Sequence, residues 1–486
     1  MTARLDSVLS AASRARGPLA ASSPGQRAGW LRAVAGALEE SREQLTGVAM
    51  RETHLPSGRL TSELTRTAFQ LRLLADRAGR GDYLDARIDH ADPDWPMGPR
   101  PDIRRMKVPL GVVLVFAASN FPFAFSVAGG DTASALAAGC AVVVKANPGH
   151  LELSRATAAV VTAALAAAGA PEGTFAMIES DEDGRAAVVD PRVAAVGFTG
   201  STRVGRMLYD LASARPVPIP FYGELGSTNP SVVTPAAAAE RPAEIAAGFV
   251  GSFTLGAGQF CTKPGWLLVP ASSDLPAEIA KLVAEAPAQP MLNERIRAGF
   301  GAALGDLAGT DGFAVLAGSV PAADSDTALD ARPVLLTAPI AALLADPELI
   351  DREVFGPAAT VVTYEHVDEP AALARLLPGQ LTASVHAAAA ADPDAATLVA
   401  ALSGHAGRVL WNQWPTGVTV SDAQQHGGPY PATTAPGTTS VGTAAIERWL
   451  RPVAYQNTPA DVLPYPLRDD NPWHVPQLVD GHREPA

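Results

Sequence analysis

Short Val-rich runs alternate with helix-compatible segments along the middle of this chain, and this alternation limits the possible folds more than any other feature. The predicted elements are strands at residues 111–116, 141–144 and 193–198 and helices at 126–138, 153–168 and 202–212. Buried strands that alternate with helices are typical of a parallel sheet covered on both faces. Sheets of this kind bind nucleotides at the carboxyl ends of their strands. We therefore expect an α/β fold with a ligand site at that edge.

A second alternation of the same kind follows Glu224. Its predicted elements are strands at 231–234, 266–269, 359–364, 381–386 and 408–411 and helices at 237–255, 278–284 and 393–402. Asp392 is the expected N-cap of the last helix, because Pro393 suits the first helical position. The pair Ser23 and Pro24 gives the same signal near the N-terminus. A chain of 486 residues with two such alternations indicates two or three domains.

Charge and composition argue against several classes of partner. The formal net charge is −13, which disfavours nucleic acid or an anionic membrane as a general partner. The most apolar region, residues 108–144, is interrupted by Asn120, Pro122 and Asp131, so it lacks the roughly 20 uninterrupted apolar residues of a membrane span. The N-terminal segment lacks the apolar core of a signal peptide. We expect a cytoplasmic protein.

The chain has two cysteines, which is too few for a disulfide framework. No Cys-x-x-Cys or His-Glu-x-x-His pattern occurs, so no metal site is predicted. Cys140 precedes a predicted buried strand and is expected to be structural, since free cysteines are usually buried. Cys261 instead lies in Gly-Ala-Gly-Gln-Phe-Cys-Thr at 256–262, where small residues leave a thiol accessible. Such a thiol is a candidate nucleophile if a neighbour takes its proton; the alternative is a second structural cysteine.

Polar residues follow three of the predicted strands. The amide of Asn120 could donate to a developing oxyanion. Lys145 ends the run Val-Val-Val-Lys, where a cation could meet a ligand. Gly200 and Ser201 lie in a Gly-rich turn between a strand and a helix, where the backbone could approach a phosphate. Each of these patterns has a structural alternative. Asn120 could be a polar loop residue, Lys145 could be a solvated strand end, and Gly200 could belong to a tight turn without a ligand.

Acidic residues complete the set of candidates. Glu224 stands in Phe-Tyr-Gly-Glu-Leu-Gly, among apolar residues that would raise the pKa of a carboxylate toward that of a useful base. The alternative is a glutamate paired with a lysine. Glu353 and Phe355 belong to Glu-Val-Phe-Gly-Pro, which on its own is compatible with an ordinary turn.

Taken together, these segments resemble the aldehyde dehydrogenase superfamily over nearly the whole chain. Six motifs follow one another in that family's order: Asn-Phe-Pro from 120, Val-Val-Lys from 143, Phe-Thr-Gly-Ser-Thr from 198, Glu-Leu-Gly from 224, Gly-Gln-Phe-Cys-Thr from 258 and Glu-Val-Phe-Gly-Pro from 353. A chance match to all six is negligible. The resemblance implies an α/β fold with a Rossmann-type cofactor domain, an α/β catalytic domain and small bridging strands that serve oligomerisation.

The resemblance also implies a role for each candidate residue. The implied catalytic residues are Cys261 as the nucleophile, Asn120 with the Cys261 backbone N–H as the oxyanion donor, and Glu224 as the base that activates water against a thioester. The cofactor would be NAD or NADP. Its implied contacts are Lys145 for the adenosine ribose, Gly200 and Ser201 for the pyrophosphate, and Glu353 and Phe355 for the nicotinamide ribose and ring.

Within the superfamily, residues 116–122, 126–136, 427–433 and 440–453 look like the α-ketoglutarate semialdehyde dehydrogenase branch. That branch oxidises 2,5-dioxopentanoate to 2-oxoglutarate, and it neighbours NADP-dependent long-chain (fatty) aldehyde dehydrogenases. Asn147 and Pro148 stand where the family often has an acid that reaches the adenosine ribose, so we expect NADP⁺ to be tolerated.

Other functions remain as alternatives to this one. The long-chain enzyme is the first alternative. A CoA-acylating enzyme is another, but Glu224 argues against it because that route needs no base for water. A catalytically silent binding or structural protein on the same scaffold is the alternative from a different class.

The resemblance implies domain boundaries as well. The NAD(P)-binding domain would comprise 1–88 and 109–224, the catalytic domain 225–438, and the bridging segments 89–108 and 439–486. Unpaired edges of bridging strands favour pairing with another subunit, so we expect a homodimer or homotetramer. The other expected partner is a small-molecule aldehyde.

Overall fold

The computed structural model of the chain describes residues 2–321, 329–389 and 392–484. The α-helices of this part are α1 (Ala3–Ala20), α2 (Pro24–Glu40), α3 (Arg42–Thr53), α4 (Ser57–Arg80), α5 (Gly130–Ala138), α6 (Leu151–Ala167), α7 (Asp181–Val189), α8 (Thr202–Ser213), α9 (Pro235–Glu240), α10 (Pro242–Thr254), α11 (Leu275–Glu285), α12 (Glu294–Ala308), α13 (Ile340–Ala345), α14 (Glu369–Ala374) and α15 (Ala395–Ser403). Among the described residues, no helix combines the length and the apolar character that crossing a membrane requires.

The strands of the same ranges form three larger sheets and one two-stranded sheet. They are β1 (Ala86–Asp89), β2 (Ile103–Pro109), β3 (Val112–Phe116), β4 (Ala141–Lys145), β5 (Phe175–Ile178), β6 (Val193–Thr199), β7 (Phe221–Glu224), β8 (Ser231–Val233), β9 (Trp266–Pro270), β10 (Gln289–Pro290), β11 (Ala314–Ala317), β12 (Asp330–Ala331), β13 (Val334–Pro339), β14 (Ala358–Tyr364), β15 (Gln380–His386), β16 (Ala406–Trp411), β17 (Leu450–Gln456), β18 (Gln477–Val479) and β19 (His482–Glu484).

The first sheet has the order β5-β4-β3-β6-β7, and all its pairings are parallel. Every residue of β4 is buried, as expected for a strand with helices on both faces. The chain runs outward from β3 to β5 and then crosses back to β6, so the strand order reverses between β3 and β6. The loops that leave these two strands diverge, which opens a cleft at their carboxyl ends. The predicted parallel α/β architecture is confirmed.

The second sheet has the order β11-β13-β14-β9-β8-β15-β16, parallel except for the β11–β13 pair. One core cluster on this sheet includes Phe300 of α12 and Leu398 of α15. Another includes Phe249 of α10 and Ile279 of α11. This sheet is therefore also covered by helices on two faces.

The third sheet joins segments from distant parts of the chain in the order β17-β2-β1-β18-β19. Strand β17 pairs antiparallel with β2 over seven residues, from Leu450 opposite Pro109 to Gln456 opposite Ile103. The C-terminal strands β18 and β19 extend the sheet at its other side.

Several predicted helices have different bounds in the structure. The helix predicted over 126–138 begins at Gly130, and the one predicted over 278–284 extends from Leu275 to Glu285. The helix predicted over 237–255 is two helices, because Pro242 begins α10 and Arg241 before it has a non-helical backbone. The helix predicted from Pro393 begins at Ala395 with Asp394 as the N-cap residue. Asp392 lies two residues before this N-cap residue and is not the cap of the helix. Its Oδ2 instead accepts a hydrogen bond from Thr234 Oγ1 at 2.6 Å.

Near the N-terminus, the predicted cap is present. Ser23 accepts the backbone N–H of Gln26, and the Gln26 side chain accepts the backbone N–H of Ser23. This reciprocal pair is a capping box with Pro24 at the first turn.

Candidate active site

The carboxyl edge of the first sheet brings four of the predicted site residues to one side of the molecule. Asn120 lies in the loop after β3, Lys145 is the last residue of β4, Gly200 follows β6 and Glu224 ends β7. Parallel strands place their carboxyl ends at one edge, so residues more than 100 positions apart can serve one cleft.

The segment that carries Cys261 has an unusual backbone. Gly256, Ala257 and Gly258 all have positive φ angles, of 57°, 54° and 65°. A Cβ on Gly258 would lie 2.1 Å from the carbonyl oxygen of Gly356, so only glycine fits there. The Asn229 side chain donates to the carbonyl oxygens of Cys261 and Lys263 at 2.8 and 2.9 Å. These contacts fix the loop on which the half-buried thiol lies.

Three side chains converge at the thiol: Cys261, Glu224 and His426. Nε2 of His426 lies 3.6 Å from Sγ of Cys261 and 2.8 Å from Oε1 of Glu224. The other carboxylate oxygen of Glu224 accepts a hydrogen bond from Ser440 Oγ at 2.7 Å. The His426 side chain is fully buried and that of Glu224 is 4% exposed. A nucleophile, an imidazole and a carboxylate in mutual contact can take up and pass on a proton.

The pKa values of the Cys261 thiol and the Glu224 carboxyl are displaced in opposite directions. Burial raises the pKa of Cys261 well above its usual value, and the Glu224 and Glu353 carboxylates raise it further. Burial also acts to raise the pKa of Glu224, but the charge of His426 and the hydrogen bonds from His426 and Ser440 outweigh it. The pKa of Glu224 is therefore lowered, and the expectation that apolar neighbours raise it is wrong.

The same three side chains are of types that bind divalent metals. Their ligand atoms lie within 4.8 Å of one another. Oε1 of Glu224, apart from its ion-pair contact with His426, and Nδ1 of His426 are buried without a hydrogen-bond partner in the part of the chain that the structure describes. That the protein holds no metal stays a prediction of the sequence.

His426 reaches the site through a segment that sequence patterns do not single out. The backbone N–H of Leu225 donates to Ala432 O at 2.8 Å, and Gly223 exchanges two hydrogen bonds with Thr434. These bonds clamp residues 426–440 over the end of β7. His426 directly precedes the segment 427–433, which carries part of the family resemblance, but a lone histidine in a loop gives no local signal of its function.

Asn120 contacts the nucleophile loop directly. Its Nδ2 donates to Gln259 O at 3.1 Å, two residues before Cys261. Its own carbonyl oxygen accepts a hydrogen bond from Arg59 Nη2 at 2.7 Å. The first contact ties the side-chain amide to the segment that carries Cys261, and the second holds the Asn120 backbone. The second N–H hydrogen of the amide can donate to a reacting carbonyl.

Lys145 has a carboxylate partner that the sequence did not indicate. Its buried Nζ forms an ion pair with Asp181 at the start of α7. The Asp181 side chain is 69% exposed, and the hydrogen bond from Lys145 lowers the pKa of its carboxyl. The position two residues after Lys145 carries no acid, but Asp181 supplies one from another element. Asn147 uses its amide instead to accept from Gly149 N and to donate to Ala117 O.

Gly200 and Ser201 form the exposed turn into α8. The backbone N–H of Gly200 donates to Glu224 O at 3.0 Å, and Thr202 Oγ1 accepts from Gly226 N at 3.1 Å. A Cβ on Gly205 would lie 2.1 Å from Leu225 Cδ2, so α8 packs closely on the sheet. The first N–H groups of this helix are available to an anion such as a pyrophosphate.

Glu353 and Phe355 lie on a segment that Lys263 ties to the nucleophile loop. The Lys263 ammonium donates to Val354 O and Ala358 O at 2.7 and 2.6 Å. A Cβ on Gly226 would lie 2.7 Å from Oε2 of Glu353, which places this carboxylate close to the end of β7. Burial raises the pKa of Glu353. Phe355 is half-buried.

Cys140, by contrast, is fully buried, and its Sγ contacts Trp449 O at 3.6 Å. Burial raises the pKa of its thiol to about 11. It lies at the amino end of β4, which is the opposite edge of the sheet from the candidate site.

Known proteins with similar sequences show the family of this chain. The model of the aldehyde dehydrogenase family matches residues 2–450. The chain is similar to a protein of Azospirillum brasilense named alpha-ketoglutaric semialdehyde dehydrogenase 2, with 46% identity over 472 residues that cover 96% of this chain and 88% of that protein. It is also similar to an Acinetobacter baylyi protein named alpha-ketoglutaric semialdehyde dehydrogenase, with 44% identity and coverage of 94% and 87%.

Solved structures agree in fold. An NAD-dependent aldehyde dehydrogenase from Sinorhizobium meliloti superimposes with a TM-score of 0.77 at 22% identity, covering 94% of this chain and 88% of that one. An NADP-dependent glyceraldehyde-3-phosphate dehydrogenase from Bacillus halodurans, in complex with NADP, gives 0.76 at 23% identity, covering 94% and 91%. The resemblance carried by the six motifs is confirmed, and the chain belongs to the aldehyde dehydrogenase family.

Proposed function

We propose that this protein oxidises 2,5-dioxopentanoate to 2-oxoglutarate with NAD⁺ or NADP⁺. The observation that carries the proposal is the contact of Cys261 with His426 and, through it, with Glu224. The choice of substrate is supported by the two relatives at 46% and 44% identity, both named for this semialdehyde. In the overall reaction, aldehyde, water and oxidised cofactor give carboxylate, reduced cofactor and two protons.

In the first step, Cys261 loses its proton to the adjacent His426 and attacks the aldehyde carbon. The new C–S bond turns the carbonyl oxygen into an oxyanion. The Asn120 amide donates to Gln259 O at 3.1 Å, two residues before Cys261, and its second N–H hydrogen would donate to the oxyanion. The acylation half of the reaction is thus assigned to these three residues.

The cofactor site fits the residues present. Lys145 at the end of β4 and the exposed N-terminus of α8 at Gly200 and Ser201 would hold the adenosine ribose and the pyrophosphate. Glu353 and Phe355 would hold the nicotinamide end. When bound, NAD⁺ or NADP⁺ supplies hydride acceptance from the substrate carbon, which leaves a thioester on Cys261.

Glu224 performs the second half. Its lowered pKa keeps the carboxylate ionised at neutral pH, so it can accept a proton from water as that water attacks the thioester. The C–S bond then breaks, and the Cys261 sulfur leaves as the thiolate. A CoA-acylating reaction would not require this base.

Initial rates with purified protein test the proposal. We expect kcat/KM for 2,5-dioxopentanoate to exceed that for succinate semialdehyde and for a long-chain aldehyde by about tenfold or more. The same assays with NAD⁺ and NADP⁺ would determine cofactor preference. The exposed Asp181 carboxylate beside Lys145 disfavours the 2′-phosphate of NADP⁺, so we expect NAD⁺ to give the higher kcat/KM. A higher kcat/KM for the long-chain aldehyde would instead assign the protein to the neighbouring branch.

The displaced pKa of Cys261 leads to a pH prediction. Because only the thiolate is alkylated, the rate of inactivation by iodoacetamide in the cofactor-free enzyme should rise about tenfold per pH unit from pH 7 to 9. Glu224→Gln removes a carboxylate that raises this pKa, so its alkylation should become faster at pH 8. Cys140→Ala should alkylate like the native protein, because Cys140 is buried. A pH-independent rate would contradict the assignment.

We also propose that the protein forms homodimers or homotetramers. The support is the edge strand β17 of the third sheet. Four of its seven side chains are exposed, and among the strands that the structure describes it has only β2 as a neighbour. Such an edge can pair with another subunit.

A further inference from the structure

Two arginines from different elements hold the same loop next to the nucleophile. Arg66 of α4 donates Nη2 to Val418 O at 3.4 Å. Arg408 of β16 donates its Nη2 to Pro415 O at 2.8 Å and to Gly417 O at 3.0 Å. Both guanidinium groups therefore donate to backbone carbonyl oxygens of residues 415–418.

This loop contacts the nucleophile segment. The backbone N–H of Gly417 donates to Thr262 Oγ1 at 3.1 Å, and Thr262 directly follows Cys261. Arg66 also lies over Phe125, with Cζ 5.4 Å from the ring centroid, and that ring lies 5.9 Å from the ring of His426. The Phe125 ring therefore lies next to both Arg66 and the histidine that contacts the thiol.

Each of these arginines keeps a buried nitrogen that is not used by the protein. Nη1 of Arg66 and Nε of Arg408 are buried without a hydrogen-bond partner in the part of the chain that the structure describes. A buried N–H that lacks an acceptor is costly, so it marks a place where an acceptor from outside the chain is favoured. Carboxylates match the planar donor pattern of guanidinium groups.

The charged side chains around Arg66 on α4 carry one more positive charge than negative charge. On the same face of α4, Glu63 accepts the backbone N–H groups of Phe123 and Ala124, and it lies between Arg59 and Arg66. One carboxylate balances one of the two arginines, which leaves one positive charge on this helix face. Burial lowers the pKa of Arg66, and the charges of Glu63, Cys261 and Glu224 act in the opposite direction, which places the guanidinium within their electrostatic range.

We propose that Arg66 and Arg408 bind the carboxylate at the far end of the substrate while its aldehyde reacts at Cys261. The inference rests on the proposed function and adds to it the two residues that would recognise the carboxylate of a short ω-oxo acid. A long-chain aldehyde would place neither charge nor acceptor at these two side chains.

The test compares an anionic and a neutral aldehyde of equal chain length, 2,5-dioxopentanoate and pentanal. In Arg66→Gln, the ratio of kcat/KM for the anionic substrate to that for pentanal should fall about 30-fold, mainly through KM. Arg66→Lys, which keeps the charge but not the planar donors, should lose less. Arg408→Gln should lower the same ratio. Titration calorimetry with 2-oxoglutarate should show weaker binding to Arg66→Gln than to the native protein.

Arg72→Gln is the matched control, because Arg72 lies on the same helix and pairs with Glu39 away from the site. It should leave the ratio unchanged. If the native protein prefers 2,5-dioxopentanoate and neither Arg66→Gln nor Arg408→Gln changes the ratio, the anion site is wrong while the proposed function stands. An equal loss for both aldehydes would show a structural role and would also overturn the inference. A native enzyme without preference for the anionic aldehyde would contradict the proposed function itself.

Discussion

Cys261→Ala should lower kcat for aldehyde oxidation by at least about 10⁴-fold, because loss of a covalent nucleophile removes the whole acyl-enzyme route. The substitution removes only Sγ from a half-buried position. The loop should keep its shape, since the Asn229 side chain holds it through carbonyl oxygens rather than through the thiol. Steady-state assays at saturating aldehyde and cofactor measure the loss, and quenching of tryptophan fluorescence measures whether the cofactor still binds.

The second cysteine provides the control for this experiment. Cys140→Ala removes a buried thiol at the far edge of the first sheet, so activity should remain within about threefold of the native value. Substantial turnover by Cys261→Ala, with cofactor binding intact, would show that another group is the nucleophile. Loss of both activity and cofactor binding would show that the loop itself had collapsed, and Cys261→Ser would then separate the two causes.

The sequence predicted most strands of the first two sheets, but not β5, β7, β11 and β13. Val-rich strands such as β4 are buried on both faces and leave a continuous apolar run. Helix α12 was not predicted, because three glycines, at 299, 301 and 305, weaken its helical pattern although Phe300, Leu304 and Leu307 form a buried stripe. Helix α1 was missed for a related reason, since Gly17 and Pro18 lie within it.

The same contrast holds for the candidate site. Asn120, Lys145 and Gly200 could be identified because each follows or ends a predicted strand in a recognisable motif, and Glu224 because it stands among apolar residues in a Glu-Leu-Gly motif. His426 could not, because its function depends on a loop that folds back over β7 from 200 residues farther along the chain. The residues next to His426 in the sequence do not indicate that this loop contacts β7.

The electrostatic environments of Glu224 and Lys145 could likewise not be predicted from the residues next to them in the chain. The neighbours of Glu224 in the chain are apolar, which predicts a raised pKa, but its neighbours in space are His426 and Ser440, and they lower it. Asp181 beside Lys145 is a similar case, since an acid absent from the expected position is supplied by α7. Both differences arise from contacts between elements that are separate in sequence.

Glu224→Gln should slow hydrolysis of the thioester by about 10²- to 10³-fold while leaving acylation largely intact. The amide keeps the shape of the side chain and its hydrogen bond to Ser440, but it cannot accept a proton from water. Since acylation then outpaces deacylation, reduced cofactor should appear in a rapid burst of one equivalent per active site, followed by a slow steady state. Stopped-flow absorbance at the nicotinamide band measures both phases, and mass spectrometry of quenched protein should detect the acyl group on Cys261.

His426→Asn separates the two halves of the reaction, because His426 lies between the thiol and the carboxylate. If histidine accepts the thiol proton, this variant should lose the fast phase that Glu224→Gln retains, and its rate should be limited before the thioester forms. Ser440→Ala removes the hydrogen bond to the second oxygen of Glu224 and a longer contact with His426 O at 3.3 Å, and it should reduce the steady-state rate by less than about tenfold. A Glu224→Gln protein with an unchanged steady-state rate would show that another group activates water, whereas a loss of the burst would mean that the carboxylate is needed for acylation as well.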